Sequence, residues 1–307
     1  MSILLAMQGA LSQGVLWAMM ALGVYITFRI LDVADLTVDG SFATGGAVCA
    51  ICLTLSIHPL ISVLLAIVAG AIAGFITGFL HTKCEIPAIL AGILTQIGLY
   101  SVNLRIMGRS NMPLLQTDTM FRGIAKWTGI SVPWVTLIVG ILISILMILI
   151  LYWFFGTEVG SAIRATGNNE QMVRALGVNT NKMKILGLMI SNGMIALAGA
   201  LVTQSQGYAD VKMGFGAIVI GLASIVIGEV IFGQKGNFAY RLLSIVIGSV
   251  IYRMIVALVL QMGMNTDDLK LLTAVLVALA LSVPVIIKKK KQSQMYKTRT
   301  EKENGEC

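Results

Sequence analysis

Charge is scarce in this chain: lysine, arginine, aspartate and glutamate together make up 12% of the 307 residues, against 57% hydrophobic. A soluble domain carries roughly a quarter charged residues. So small a stock cannot clothe a water-facing surface, which excludes an ordinary soluble fold. Histidine is limited to His58 and His81, at the two ends of one apolar run, where an interfacial role suffices. Neither HExxH nor GxSxG occurs, so an intramembrane enzyme would lack its convergent catalytic groups. A G-x-x-x-x-G-K-[ST] phosphate loop is missing too, and any ATP-driven role therefore needs a separate hydrolysing subunit. Cysteine is confined to Cys49, Cys52, Cys84 and Cys307. Cys49 and Cys52 have the spacing of a metal or redox pair, but no second pair or histidine cluster accompanies them. They read as small helix-packing residues, and neither a metal nor a cofactor is expected.

Apolar sequence is abundant, with a mean hydropathy of +0.89. Apolar runs occupy residues 5–28, 40–57, 59–80, 86–106, 133–155, 185–205, 214–232, 239–260 and 270–287. A run of about 20 residues suffices to cross a bilayer as a helix. The expected fold is all-α, a polytopic transmembrane bundle of about nine spans, bounded by eight and ten because a discontinuous helix splits or merges runs. The transmembrane domain is placed at 1–287, with a polar segment at 156–184 and a basic, disordered tail at 288–307. The N-terminus lacks a basic n-region and a small-x-small cleavage site and reads as a retained first span.

The net charge is +8, half of it from Lys288, Lys289, Lys290 and Lys291 where an apolar run ends. These lysines anchor and orient the chain in the lipid bilayer, and no nucleic-acid partner is implied. The positive-inside rule puts the tail on the cytoplasmic side together with Arg164, Arg174, Lys182, Lys184, Lys235 and Arg241. The loop at 107–132 goes against it, leaving Arg109, Arg122 and Lys126 outside. That loop, with Pro113 and Trp127, either connects spans or meets an external partner. Gly70, Gly74 and Gly78 form a flat stripe suited to packing within the subunit. A faint echo links ADLTVDGSFATGG at 34–46 with ADVKMGFGAIVIG at 209–221. On the span count the two copies start from opposite sides, as in an inverted repeat, although chance accounts for four identities equally well.

Several polar groups interrupt the apolar runs. Asp39 precedes GSFATGG, where it can accept backbone hydrogens at the start of its helix, while Asp32 and Asp35 can brace the loop with Arg29. Gln96, Tyr100 and Asn103 share one helical face by their spacing. Asn192 suits a helix-to-helix hydrogen bond, and Gln204 falls in a polar cluster at a span's end. Asp39, Gln96, Tyr100, Asn103, Asn192 and Gln204 are the candidates for lining a translocation path. Glu229 reads as an interfacial or salt-bridging residue.

The polar island RATGNNEQMVRALGVNTNKMK, at 164–184, is shaped as a short helix. Asn168 can cap it with Gln171 at N3, Glu170 and Arg174 are spaced i,i+4, and Gly177 can end it. Met172, Ala175 and Leu176 give it one small apolar face, with Glu170 and Arg174 left for polar contact. Two turns are too few to be stable alone. The face holds no Trp or Phe and is meagre for resting on lipid headgroups, so a groove in a cytosolic protein fits better.

GVYITFRILDVADLTVDGSFATGGAV and GSAIRATGNNEQMVRALGVNTNKMKILGLMISNGMIALAGAL resemble segments of the permease subunits of ATP-binding-cassette importers, in the branched-chain amino acid and ribose/nucleoside group. The resemblance runs from about residue 10 to residue 287 and implies a type II importer fold. It makes residues 169–176 similar to a coupling helix seated in an ATPase groove, with Arg164, Glu170, Arg174, Ala175, Leu176 and Gly177 at matching positions and Asn168 and Met172 beside them. It also implies a cytoplasmic ATPase dimer, a second permease subunit (a copy or a paralogue), an external substrate-binding protein and a bacterial cell membrane. Hydrolysis would then lie elsewhere, and this chain would not itself be an enzyme. Asp39 in DLTVDGSF is extra to the ribose-type pattern and closer to permeases associated with amino acids, aromatic ones included. The expected solute is a small polar molecule of that kind. The alternatives are an ion-coupled secondary transporter, a sugar or nucleoside importer permease and, more remotely, a channel.

Overall fold

The computed structural model of the chain describes residues 2–115, 117–233 and 236–262 and, beyond them, 271, 273–275, 277–279 and 282. The tail at 288–307, Lys235 and most of the run at 270–287 lie outside the described residues. The elements are α1 (Ser2–Tyr25), continued by a π-helical turn (Ile26–Ile30), α2 (Val38–Thr54), α3 (Pro59–Thr82), α4 (Ala88–Met107), β1 (Asn111–Pro113), α5 (Met120–Thr128), α6 (Val132–Gly156), α7 (Glu158–Asn168), α8 (Glu170–Ala175), α9 (Thr180–Gln206), β2 (Tyr208–Asp210), α10 (Ala217–Phe232) and α11 (Phe238–Gln261). The β1 and β2 strands pair antiparallel, with Met112 opposite Ala209.

The expectation of about nine spans does not hold. Among the described residues, six helices are long and apolar enough to cross a membrane: α1 with its π turn, α3, α4, α6, α9 and α11. The runs at 40–57 and 214–232 form α2 and α10, of only 17 and 16 residues. At 1.5 Å per residue these reach roughly 24–26 Å, short of a hydrocarbon core about 30 Å thick. Their apolar composition has another cause, burial inside the bundle, where Phe42, Ala47 and Cys49 of α2 are fully covered. A helix enclosed by protein and one enclosed by lipid have the same hydropathy.

Helix α9 is the packing centre, buried continuously from Ser191 to Gln204. Small residues allow its neighbours to approach backbone to backbone. A methyl group at Gly74 of α3 would strike the Leu188 carbonyl, and one at Gly78 would meet Ile185. On the α2 side, Gly45 abuts the Ala196 backbone and Gly199 abuts the Phe42 carbonyl. The glycine stripe of α3 is therefore used within the chain. Helix α6, by contrast, leaves Leu142, Ile145 and Leu149 exposed along its length.

The bundle has two distinct ends. At one, Gly167 of α7 lies against the Ile30 carbonyl and Gly187 of α9 against the Leu31 side chain. At the other stand the β ladder and α5, tied to α9 by the Met120 N–H, which donates to Gln204 Oε1 at 2.9 Å. The start of α1 belongs to this second end, since Ser12 Oγ donates to the Pro133 carbonyl that opens α6. The segment at 107–132, expected as a loop, is thus an ordered cap. Two of its cations are used locally: Arg122 donates to the Leu114 and Leu115 carbonyls, and Lys126 pairs with Asp118 at 2.7 Å.

Candidate functional site

Local sequence builds α8 in a defined way. Asn169 Oδ1 accepts from the Met172 N–H at 3.0 Å, so Asn169 is the N-cap, Glu170 the first helical residue and Met172 the N3 residue. The expected cap at Asn168 with Gln171 at N3 is therefore one residue early, because Asn168 still belongs to α7. Gly177, at φ +85°, takes the left-handed conformation that ends the turn.

Tertiary contacts then pin this six-residue helix. Val173 is 2% exposed and faces inward. Glu170 accepts from Lys184 Nζ at 2.6 Å, from Arg174 Nη2 at 2.9 Å and from the Thr180 hydroxyl at 3.0 Å. Glu170 and Arg174, expected to be free for polar contact, are instead engaged in fastening α8 to the start of α9. The hydrogen bond from Lys184 is the main reason the Glu170 carboxyl is held below the ordinary glutamate range, with Thr180 and the charges of Lys184 and Arg174 adding to it against the cost of burial. Outward, nothing covers the apolar face among the described residues: Met172 is 51% and Leu176 74% exposed, and Ala175 between them is exposed as well. Arg164 lies apart from this face, on α7, its guanidinium 5.1 Å from the Phe238 ring centroid. The structure thus groups Met172, Ala175 and Leu176 into one surface and separates Arg164 and Asn168 from it.

A second polar centre forms where α2 and α10 begin. Both follow irregular segments, at 31–37 and 211–216, that enter the bundle from opposite ends. Asp39 accepts from the Gly216 N–H at 2.9 Å and the Ile218 N–H at 3.0 Å, so its carboxylate caps α10 and not the helix it belongs to. Gly214 abuts the Asp39 carbonyl, and a side chain there would collide with it. Two helix N-termini thereby meet at one carboxylate, which accepts from the orphan N–H groups of α10 and, from the first turn of α2, complements both positive dipole ends. Gln96 approaches the same place, its Cα near Gly40, and Tyr100 one turn on stacks with Phe215 at 6.5 Å. Both aromatic rings retain exposed surface.

The other path candidates lie elsewhere. Asn192 is wholly buried, donating to Asp35 Oδ2 at 2.7 Å and accepting from the Ser41 hydroxyl at 2.6 Å. Asp35 also accepts from the Thr37 N–H, so it braces the loop through Asn192 and Thr37; Arg29 pairs instead with Glu229. Gln204 is spent on Met120, Cys49 and the Pro59 carbonyl. Asn103 is buried, and both amide atoms lack a partner among the described residues. The sequence reading passed over Arg253, inside α11, whose guanidinium lies 4.0 Å from the Trp17 ring centroid and whose Nε has no partner among the described residues. An arginine deep inside the 239–260 run, a dozen residues beyond Arg241 at its start, was the available signal. Among the described residues no group of three metal-binding side chains occurs.

A mostly helical membrane bundle, with two short inner helices and a short pinned helix at one end, sets the class of protein as a multi-pass membrane protein. The chain belongs to the family described as branched-chain amino acid transport system / permease component, whose model matches residues 6–283. It is the permease component of an importer of the ATP-binding-cassette type. Among its relatives is the tyrosine transport system permease protein of Clostridioides difficile (strain R20291), 39% identical over 95% of this chain and 97% of that one. An uncharacterized protein of Rickettsia prowazekii (strain Madrid E), RP368, is 35% identical over 89% and 95% of the two chains. The ribose import permease protein of Escherichia coli (strain K12) is 26% identical over 87% and 81%. These relationships do not favour the ion-coupled alternative.

Proposed function

We propose that this chain forms one half of the path by which an ATP-driven importer carries an aromatic amino acid of the tyrosine class across a bacterial cell membrane. The observation that carries the coupling half of this reading is α8: a helix held rigidly by Val173 and Glu170 that nevertheless presents Met172, Ala175 and Leu176 to solvent. A rigid helix with an uncovered apolar face is suited to passing force from a docked partner into the bundle. The partner is the cytoplasmic ATPase dimer, which places the α7–α8 end inside the cell and the β ladder with α5 outside, toward an external binding protein.

The path itself runs by the junction of α2 and α10, where Asp39 joins two helix starts and Tyr100 and Phe215 expose aromatic surface. Discontinuous helices entering from opposite ends are the arrangement of inverted repeats, with solute handled at the break. A second permease subunit faces this surface. The amino-acid reading follows the tyrosine-system relative, and the aromatic pair suits such a solute. The ribose relative keeps a sugar as the second reading. Uptake of labelled tyrosine, leucine and ribose by vesicles holding the assembled importer and its binding protein tests the choice. Tyrosine uptake that needs ATP and is not displaced by ribose is expected, and ribose uptake alone would reject the amino-acid assignment.

A further inference from the structure

We propose that the cavity between the end of α6, α7 and the start of α11 holds the phosphate headgroup of an anionic phospholipid from the leaflet on the α8 side. The cavity measures about 620 Å³ and is lined by Tyr152, Trp153, Thr157, Arg164, Asn237 and Phe238. Arg164 is its cation. The guanidinium rests on the Phe238 ring and forms no ion pair among the described residues, so its five N–H donors remain available to a planar or tetrahedral oxyanion. Glu158, the acid earlier on α7, does not line the cavity. Asn237 adds a second donor. It occupies the N-cap position of α11 yet its side chain makes no capping bond, and the amide lines the same cavity as the arginine with no hydrogen bond among the described residues.

The surroundings say which oxyanion fits. The exposed apolar face of α6, through Leu142, Ile145 and Leu149, runs unbroken into Tyr152 and Trp153, which are 52% and 72% exposed. Aromatic side chains at the end of a lipid-facing span sit at headgroup level. An acyl chain lying on α6 therefore delivers its phosphodiester to Arg164, one negative charge against one positive charge. Arg164 consequently acts at the lipid boundary and not in the apolar face of α8.

The test uses the full chain in nanodiscs of phosphatidylcholine with or without phosphatidylglycerol, read by native mass spectrometry for retained lipid. Wild type is expected to retain phosphatidylglycerol over phosphatidylcholine, and Arg164→Gln to lose about fivefold of that preference. Arg164→Lys should keep part of it, because the charge survives without the bidentate fork. Equal retention of both lipids by wild type, or an undiminished preference in Arg164→Gln, overturns the proposal. Inorganic phosphate that displaces the lipid would assign the site to a free anion and overturn it as well. So would shielding of Trp153 from brominated lipid by a second copy of the chain. Lipid retention is read without ATPase or transport, so its outcome is separate from that of the proposed importer function.

Discussion

Truncating Leu176 separates coupling from folding. Its side chain is 74% exposed in the free chain, so removing it costs the fold almost nothing. If an ATPase groove buries that exposed three-quarters, the transfer energy at stake is about 1–2 kcal/mol of the roughly 1.5–3 kcal/mol for burying a whole leucine. Leu176→Ala should then weaken the permease–ATPase association about five- to thirtyfold. Leu176→Asp should abolish it, because a carboxylate would be desolvated without a partner. Val173, three positions earlier and 2% exposed, provides the contrast: Val173→Ala should lower the thermal stability of the purified permease while leaving the outward face intact. The assay is copurification of the ATPase with each variant, together with melting of the permease alone in detergent. Undiminished copurification and ATP-dependent uptake in Leu176→Asp would refute the placement of the contact. A fall in melting temperature as large as that of Val173→Ala would refute the claim that the side chain is uncovered.

Further expectations concern the polar centres. Glu170 titrates below the ordinary glutamate value of 4.5, so its contribution to holding α8 is complete above that value and is lost only as pH falls through the depressed folded value. Hydrogen exchange of the 170–176 amides should be flat, after correction for intrinsic rate, from neutrality down to the glutamate range, and Glu170→Gln should raise it at neutral pH. Replacing Asn192 with Leu strips Asp35 and Ser41 of a shared partner inside the bundle and should cost about 3 kcal/mol, seen as a lower melting temperature. Tyr100→Ala and Phe215→Ala should each slow uptake of an aromatic solute with the ATPase still bound; uptake at the wild-type rate would remove the path from this surface.

How much could be read in advance differs from residue to residue. Scarce charge and repeated apolar runs were enough for a membrane bundle, because a bilayer leaves a compositional mark on every span. The stop at Gly177 and the apolar triplet at Met172, Ala175 and Leu176 were also legible, since each depends on spacing within one turn or two. The cap slipped by a residue because Asn168 and Asn169 are chemically identical candidates, and the end of α7 decides between them.

Partners far apart in the chain were hidden altogether. Asp39 looks like the cap of its own helix, but the Gly216 N–H, 177 residues away, takes its carboxylate. Arg29 stands beside Asp32 and Asp35, yet it pairs with Glu229, 200 residues away. Hydropathy could not separate the short helices α2 and α10 from those long enough to cross a membrane either, for it measures what surrounds a helix without saying whether lipid or protein does the surrounding. Membership of the bilayer, the family and the short polar helix were therefore written locally, in composition and short-range order. Which helices stop midway, and which charges meet there, was settled only when glycine-lined backbones closed around α9 and brought distant segments within hydrogen-bonding reach.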